Sequence, residues 1–200
     1  STCRCRRTPT STRCSTAPAA RAALAGPLPR RWAHARGVAR RARTLAVGLP
    51  PADAATLVAA AWLHDVGYAP TVARTGFHPL DGARYAHDLG FPDRVAHLVA
   101  YHSAAAVKAD LLGLTDQMAE FCDEQTLVRD LLWYADMSTD PSGRPVSFDA
   151  RMAEVRRRRA DDPVAVAALD LGMPARRAAW ERAEAWLRSG AGQRPRASRV

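Results

Sequence analysis

The sequence predicts an all-α protein folded as one helical bundle. Apolar residues make up 48% of the 200, dominated by Ala and Leu with few β-branched runs, which favours helices. Between Pro- and Gly-rich breaks those residues recur at three- and four-residue spacing, and no segment alternates as a strand would. The length suits one domain with a proper core and is short for two.

Residues 1–28 are rich in Ser, Thr, Pro, Ala and Arg and are read as a disordered basic N-terminal extension. A folded domain is expected over 29–188, with residues 189–200 as a flexible tail. A first helix is expected over 30–47, ending at Gly48-Leu49-Pro50-Pro51. Asp53 is positioned to cap a second helix, whose Leu57, Val58, Ala61 and Trp62 share a face up to His64-Asp65 and Gly67. His78-Pro79 opens a third helix that ends at Gly90, and Pro92-Asp93 opens a fourth that runs through Val95, Leu98, Val99 and His102. One or two short helices are expected within 107–123, then a longer one over about 124–138. Asp140-Pro141-Ser142-Gly143 is a turn, Ser147 caps a helix to about Arg159, and Pro163 and Pro174 mark the starts of two more.

The net charge of +9 is unevenly spread. Residues 1–44 carry 11 Arg and no acid, and 188–200 carry 4 Arg and no acid. Residues 45–187 hold all 20 acids against 14 bases, a net −6. Basicity confined to loose tails argues against nucleic acid as the partner. Arg outnumbers Lys 28 to 1, the mark of a GC-rich, bacterial genome, so Arg156–Arg159 read as a solvated helix face. Cys3, Cys5, Cys14 and Cys122 show no CxxC spacing and read as unpaired thiols of a reducing cytoplasm. The longest apolar run, Ala54–Leu63, is too short to span a membrane. An Arg/Ser-rich start without an apolar stretch has transit-peptide character, ranked below a disordered extension or an over-long gene start. Ser1 in place of Met fits a processed chain or a misassigned start.

All six histidines fall between positions 34 and 102. His102 shares the inward face of Leu98 and Val99, whereas His97 lies about 140° from it at helical pitch. His87 lies about 180° from His78 on the third helix, so His87 and His97 read as surface or boundary residues. Asp136 follows Leu132 by four residues and so points inward, which is costly for a carboxylate without a counter-charge or a metal. His64-Asp65 brings two donors to a helix end, and His34 lies within the first helix.

In order and context, His34, His64-Asp65 in AAWLHDVGY and Asp136 in LLWYADMS resemble the H…HD…D pattern of the HD-domain superfamily of metal-dependent phosphohydrolases. The resemblance covers about residues 30–140. It implies an HD-domain bundle of about five core helices with extra C-terminal helices. It also implies His34, His64, Asp65 and Asp136 as ligands of a divalent ion. His78 in HPLDGA and His102 in AYHS fit the positions where two-metal members add ligands, with Asp65 able to bridge to the second ion. The chain departs from the cyclic-dinucleotide branch at Ser103, where that branch has a second His, and at Tyr68, where it commonly has Lys. It also lacks a GYP motif, which argues against cyclic di-GMP cleavage.

Imidazole and carboxylate donors suit one or two ions of Mn, Fe, Zn, Co or Ni better than calcium. The resemblance thus implies a cytoplasmic metal-dependent phosphohydrolase acting on a nucleotide or other small phosphate ester. Asp65 is the candidate catalytic residue that orients the attacking water. Asp81 is a weaker one, more simply read as a helix-dipole partner, and Arg84 and Lys108 are candidate phosphate contacts or plain surface residues. The same six ligands resemble those of HD-fold mixed-valent diiron oxygenases, the alternative enzyme. A non-catalytic nucleotide-binding regulatory module is the alternative outside catalysis. The oligomeric state is left open.

Overall fold

The structure, a computed structural model, describes residues 15–190. Among them are eleven α-helices and no β-strand, only an isolated bridge between Thr139 and Pro145. The all-α expectation holds.

Helix α1 (Thr16–Leu24) lies in the stretch read as disordered, and that reading is corrected for these residues. Ala19, Ala20, Ala23 and Leu24 are buried at helical spacing, and the helix packs on the next two. Residues 1–14 and 191–200, with the expected disorder there, lie outside the described residues. Helices α2 (Pro29–Leu45) and α3 (Pro51–Leu63) each start with proline at the first position, where its missing N–H costs nothing. Trp32 and Trp62 stack between them with ring centroids 5.5 Å apart. Asp53 is not the cap expected. Pro50 precedes the helix, and Asp53 sits in the first turn, paired with Arg94.

The chain after α3 makes a 3₁₀ turn at Val66–Tyr68 and a loop, then α4 (His78–Asp88) and α5 (Asp93–Ala100) pack on one another. His102 is not on α5, as expected, but in a 3₁₀ turn just past its end, and it is buried all the same. Short helices α6 (Ala105–Leu111) and α7 (Thr115–Met118) follow.

Helix α8 (Leu127–Met137) is buried from Val128 to Met137, as a central helix must be. One side faces the main core with α2, α3 and α5. The other faces a smaller core of Trp133, Met137, Phe148, Met152, Leu169 and Ala179. Burying Leu131 and Leu132 contributes roughly 1.5–3 kcal/mol each. The smaller core is completed by α9 (Phe148–Arg158), α10 (Pro163–Leu171) and α11 (Met173–Arg188). Ser147 caps α9 as expected, its hydroxyl accepting from the Ala150 N–H, and Asp162 caps α10 in the same way.

Two expectations about charge and thiols are corrected. Six of the eleven N-terminal arginines (30, 31, 36, 40, 41 and 43) belong to α2, so much of the basicity is carried by a structured helix. Cys122 is disulfide-bonded, and Cys3, Cys5 and Cys14 lie outside the described residues. Local spacing rules do not see a pairing between residues distant in sequence. No helix among the described residues is long and apolar enough to cross a membrane.

Gly67 lies against the His78 carbonyl and the Gly82 backbone so closely that a Cβ there would collide with both. Gly67→Ala should therefore lower stability by about 1–3 kcal/mol, read as a reduced urea midpoint. Gly26→Ala, with open space around the site, should move it by less than about 0.5 kcal/mol.

Candidate metal centre

Six side chains from five regions of the chain converge beside α8: His34 from α2, His64 and Asp65 from the end of α3, His78 from the start of α4, His102 from the turn after α5, and Asp136 from α8. They form two groups of potential ligands, His34–His64–Asp136 and Asp65–His78–His102, each with donor atoms within 4.8 Å of one another. All are buried except His78, which is half-buried.

Asp65 stands between the groups. Its Oδ2 lies 3.7 Å from His64 Nε2 and 3.9 Å from His34 Nε2. Its Oδ1 lies 3.5 Å from His78 Nε2 and 4.0 Å from His102 Nε2. One carboxylate thus turns one oxygen to each group.

The backbone sets the imidazoles. Nδ1 of His34, His64 and His102 meets the carbonyls of Asp140, Ala61 and Val99 at 3.0, 2.9 and 2.6 Å. A carbonyl only accepts, so Nδ1 carries the proton and Nε2 of the neutral ring presents a lone pair to the cluster. His34 Nε2 then faces Asp136 Oδ1 at 3.0 Å, acceptor to acceptor, an arrangement that calls for a proton or a metal cation between them. His64 Nε2 is buried without a hydrogen-bond partner. An orphaned imidazole lone pair among carboxylates, with three of the four rings oriented by a carbonyl, fits a divalent transition metal.

Burial lowers the His64 pKa to about 4, so this ring is neutral at pH 7 as a metal ligand must be. Burial also holds His78 well below its ordinary value. For Asp65 burial works the other way, but the Arg31 guanidinium and the imidazoles outweigh it and keep the carboxyl well below its usual range. Asp136 is lowered against its burial by a proton held between it and His34 and by the charges around it.

Several residues at the site were not singled out from the sequence. Arg31 Nη1 donates to Asp65 Oδ2 at 2.8 Å. The Tyr68 ring lies 3.8 Å from the Arg31 guanidinium and 3.8 Å from the His78 ring, which places it as a slab between the two. Arg151 approaches Asp136 Oδ1 at 3.5 Å. The cavity over the centre is lined by Arg31, Lys108, Arg151, Arg158, Arg159 and Arg176, while among the described residues its carboxylates are Asp65 and Asp136. Arg159, half-buried at the lining, departs from the solvated face expected of Arg156–Arg159, whereas Arg156, Arg157 and Arg158 are exposed as expected. The inward spacing of Arg151 and Met152 was the one available signal, and in a chain with 28 arginines it does not stand out.

Lys108 does line the cavity, but Asp81 and Arg84 do not. Asp81 is buried and accepts from the Arg74 and Thr75 backbone N–H groups and the Thr75 hydroxyl, which pins the loop before α4. Arg84 pairs with Glu120 on the surface. His87 is exposed, and His97 packs against Phe121 away from the cluster, as helical geometry predicts.

In the metal-free protein, His64 takes up a proton only near about 4, whereas an imidazole in the unfolded chain does so near 6.5. Between those values the unfolded state binds more protons, so stability falls as pH drops through the window. Urea unfolding of metal-free protein should show a lower midpoint at about pH 5 than at about pH 7. Equal midpoints would mean that His64 is not buried neutral.

Residues 31–140 match the family model described as HD domain, a span that contains all six clustered residues. No curated protein and no solved structure gave a significant match. The matched span is more than half of the chain and contains the buried cluster, and on that ground the chain belongs to the HD-domain family.

Proposed function

We propose that the protein is a metal-dependent phosphohydrolase acting on a nucleotide or other small phosphate ester. In this reading His34, His64 and Asp136 would hold one divalent ion, His78 and His102 would hold a second, and Asp65 would serve both groups. The observation that carries the reading is the placement of Asp65, with one oxygen toward each group. Membership of the HD-domain family, which implies the metal-dependent phosphohydrolase superfamily, supports the reaction class.

A bound divalent ion supplies Lewis acidity toward the phosphoryl oxygens and a water acidic enough to react near neutral pH. The chain's own residues do the rest. Asp65 stays ionised and is the carboxylate placed to orient an attacking water. Arg31 fixes the plane of that carboxylate through Oδ2. The carbonyls of Asp140, Ala61 and Val99 hold three imidazoles in the ligating tautomer, so little reorganisation is needed on loading. The cationic lining draws an anionic substrate into the cavity and offsets charge that builds up on it. A pocket with six cations has little use for a neutral substrate, which favours a phosphate ester.

Elemental analysis after loading with Mn or Co should give two ions per chain. His78→Ala should remove one, and Asp65→Ala should weaken both. Anaerobic turnover of model phosphoesters should fall by about 100-fold or more in either variant, since loss of even an outer partner costs 10–100-fold. Failure of any metal to bind, or binding indifferent to Asp65, would defeat the reading. Two irons per chain with turnover that demands dioxygen would replace it with oxygenase chemistry.

A further inference from the structure

The cations around the cavity are not equally occupied. Arg31 is paired with Asp65, Arg151 with Asp136 and Glu154, Arg158 with Glu154, and Lys108 approaches Asp162 at 3.7 Å. Among the described residues, Arg159 and Arg176 have no carboxylate within ion-pairing distance. Arg159 makes one hydrogen bond, from Nη2 to the Tyr68 hydroxyl oxygen at 3.2 Å.

Arg176 is the more telling residue. It is only 8% exposed, and burial lowers its pKa to about 10. Nη1 donates to the Leu169 and Ala168 carbonyls at 3.1 and 3.4 Å, and Nη2 donates to the Ser103 carbonyl at 2.9 Å. A guanidinium has five N–H donors, so Nε–H and one hydrogen on Nη2 are left without an acceptor among the described residues. Neutral carbonyls solvate the charge but do not neutralise it, and an unneutralised buried charge is costly. Arg176 lines the cavity that opens on the metal centre, so its missing counter-ion can enter from there.

Both residues lie beyond residue 140, where the family match ends: Arg159 closes α9 and Arg176 is in the first turn of α11. Tyr68 sets the relation of Arg159 to the metal centre, because its ring stacks on His78 while its hydroxyl meets Arg159, and Arg176 lines the same cavity. A second anion at Arg159 and Arg176 would therefore stand to one side of a phosphate facing the ligands, within the same cavity.

We propose that Arg159 and Arg176 form a subsite for a second anionic group, so that the substrate is a small molecule with a phosphoryl group at one end and another oxyanion, phosphate or carboxylate, at the other. This rests on the phosphohydrolase reading and names the class of ester it acts on. Arg159 and Arg176 are then residues that determine specificity, and they bring substrate choice from the C-terminal helices to a metal centre built by the others.

The test is calorimetric titration of the manganese-loaded protein with non-hydrolysable probes: methylphosphonate, a series of α,ω-alkyl bisphosphonates of increasing length, and the matching phosphonocarboxylates. The best two-anion probe should bind about tenfold or more tightly than methylphosphonate, the worth of one charge-assisted hydrogen bond. The bisphosphonate and phosphonocarboxylate arms show which oxyanion the subsite prefers. In Arg159→Met, and separately in Arg176→Lys, the ratio of two-anion to one-anion affinity should fall toward one. Arg159 is at a helix end, so its variant keeps the test open if the Arg176 variant does not fold. Equal affinity for one- and two-anion probes at every length, or variants that weaken both classes in proportion, would overturn the subsite. Neither outcome touches hydrolysis itself, whose failure would appear as no phosphoester turnover despite bound metal.

Discussion

A nearly inaccessible carboxylate, Asp65, is the constraint around which the rest of the molecule is arranged. An ion of this kind out of water carries a penalty of several kcal/mol unless its lone pairs are met. Here they face four imidazoles and one guanidinium. Meeting them brings α2, the end of α3, the start of α4 and the turn after α5 to one place, and α8 packs against α2, α3 and that turn. The same surroundings explain the protonation pattern. Burial strips the proton from His64, while the neighbouring cationic groups keep Asp65 and Asp136 ionised.

Two close approaches of backbone and one left-handed turn bring the clustered histidines together. Gly37 on α2 meets Gly143 in the turn after α8 with no room for a Cβ, which lets the Asp140 carbonyl reach His34. Gly67 does the same against the start of α4 and brings His78 beside Asp65. For His102 the device is different: Ser103 and Ala104 adopt positive φ values of 51° and 57°, a conformation that side-chain-bearing residues rarely take. Arg176 holds the Ser103 carbonyl, so the C-terminal helices stabilise the turn that carries this ligand.

The clustered His and Asp residues were legible because their chemistry is rare in an Ala/Leu/Arg-rich chain and because two of them are adjacent. Asp136 could be turned inward from Leu132 by helical pitch alone, and the burial of both agrees. His102 was read as inward for a reason that was half right. Its side chain is buried, but a left-handed turn places it there, and no periodicity reports such a turn. Helix α1 was hidden by composition. TAPAARAAL looks like low complexity, although Ala19, Ala20, Ala23 and Leu24 carry a helical stripe. The cationic wall was hidden by abundance. With 28 arginines, nothing in one sequence distinguishes Arg159 and Arg176 from Arg156 and Arg157, because the difference lies in which helices fold over the cavity.

The arginine bias has a last consequence at the cavity. Lys108 is the only side-chain amine in the chain, and it stands at the cavity lining, 30% exposed. Reagents that acylate amines have a single side-chain target here, in the cavity that opens on the His/Asp cluster, whereas in most proteins they would mark many surface positions. The chain thus carries a built-in handle: covalent labelling of one residue reports on access to the cavity, with almost no background from the rest of the surface.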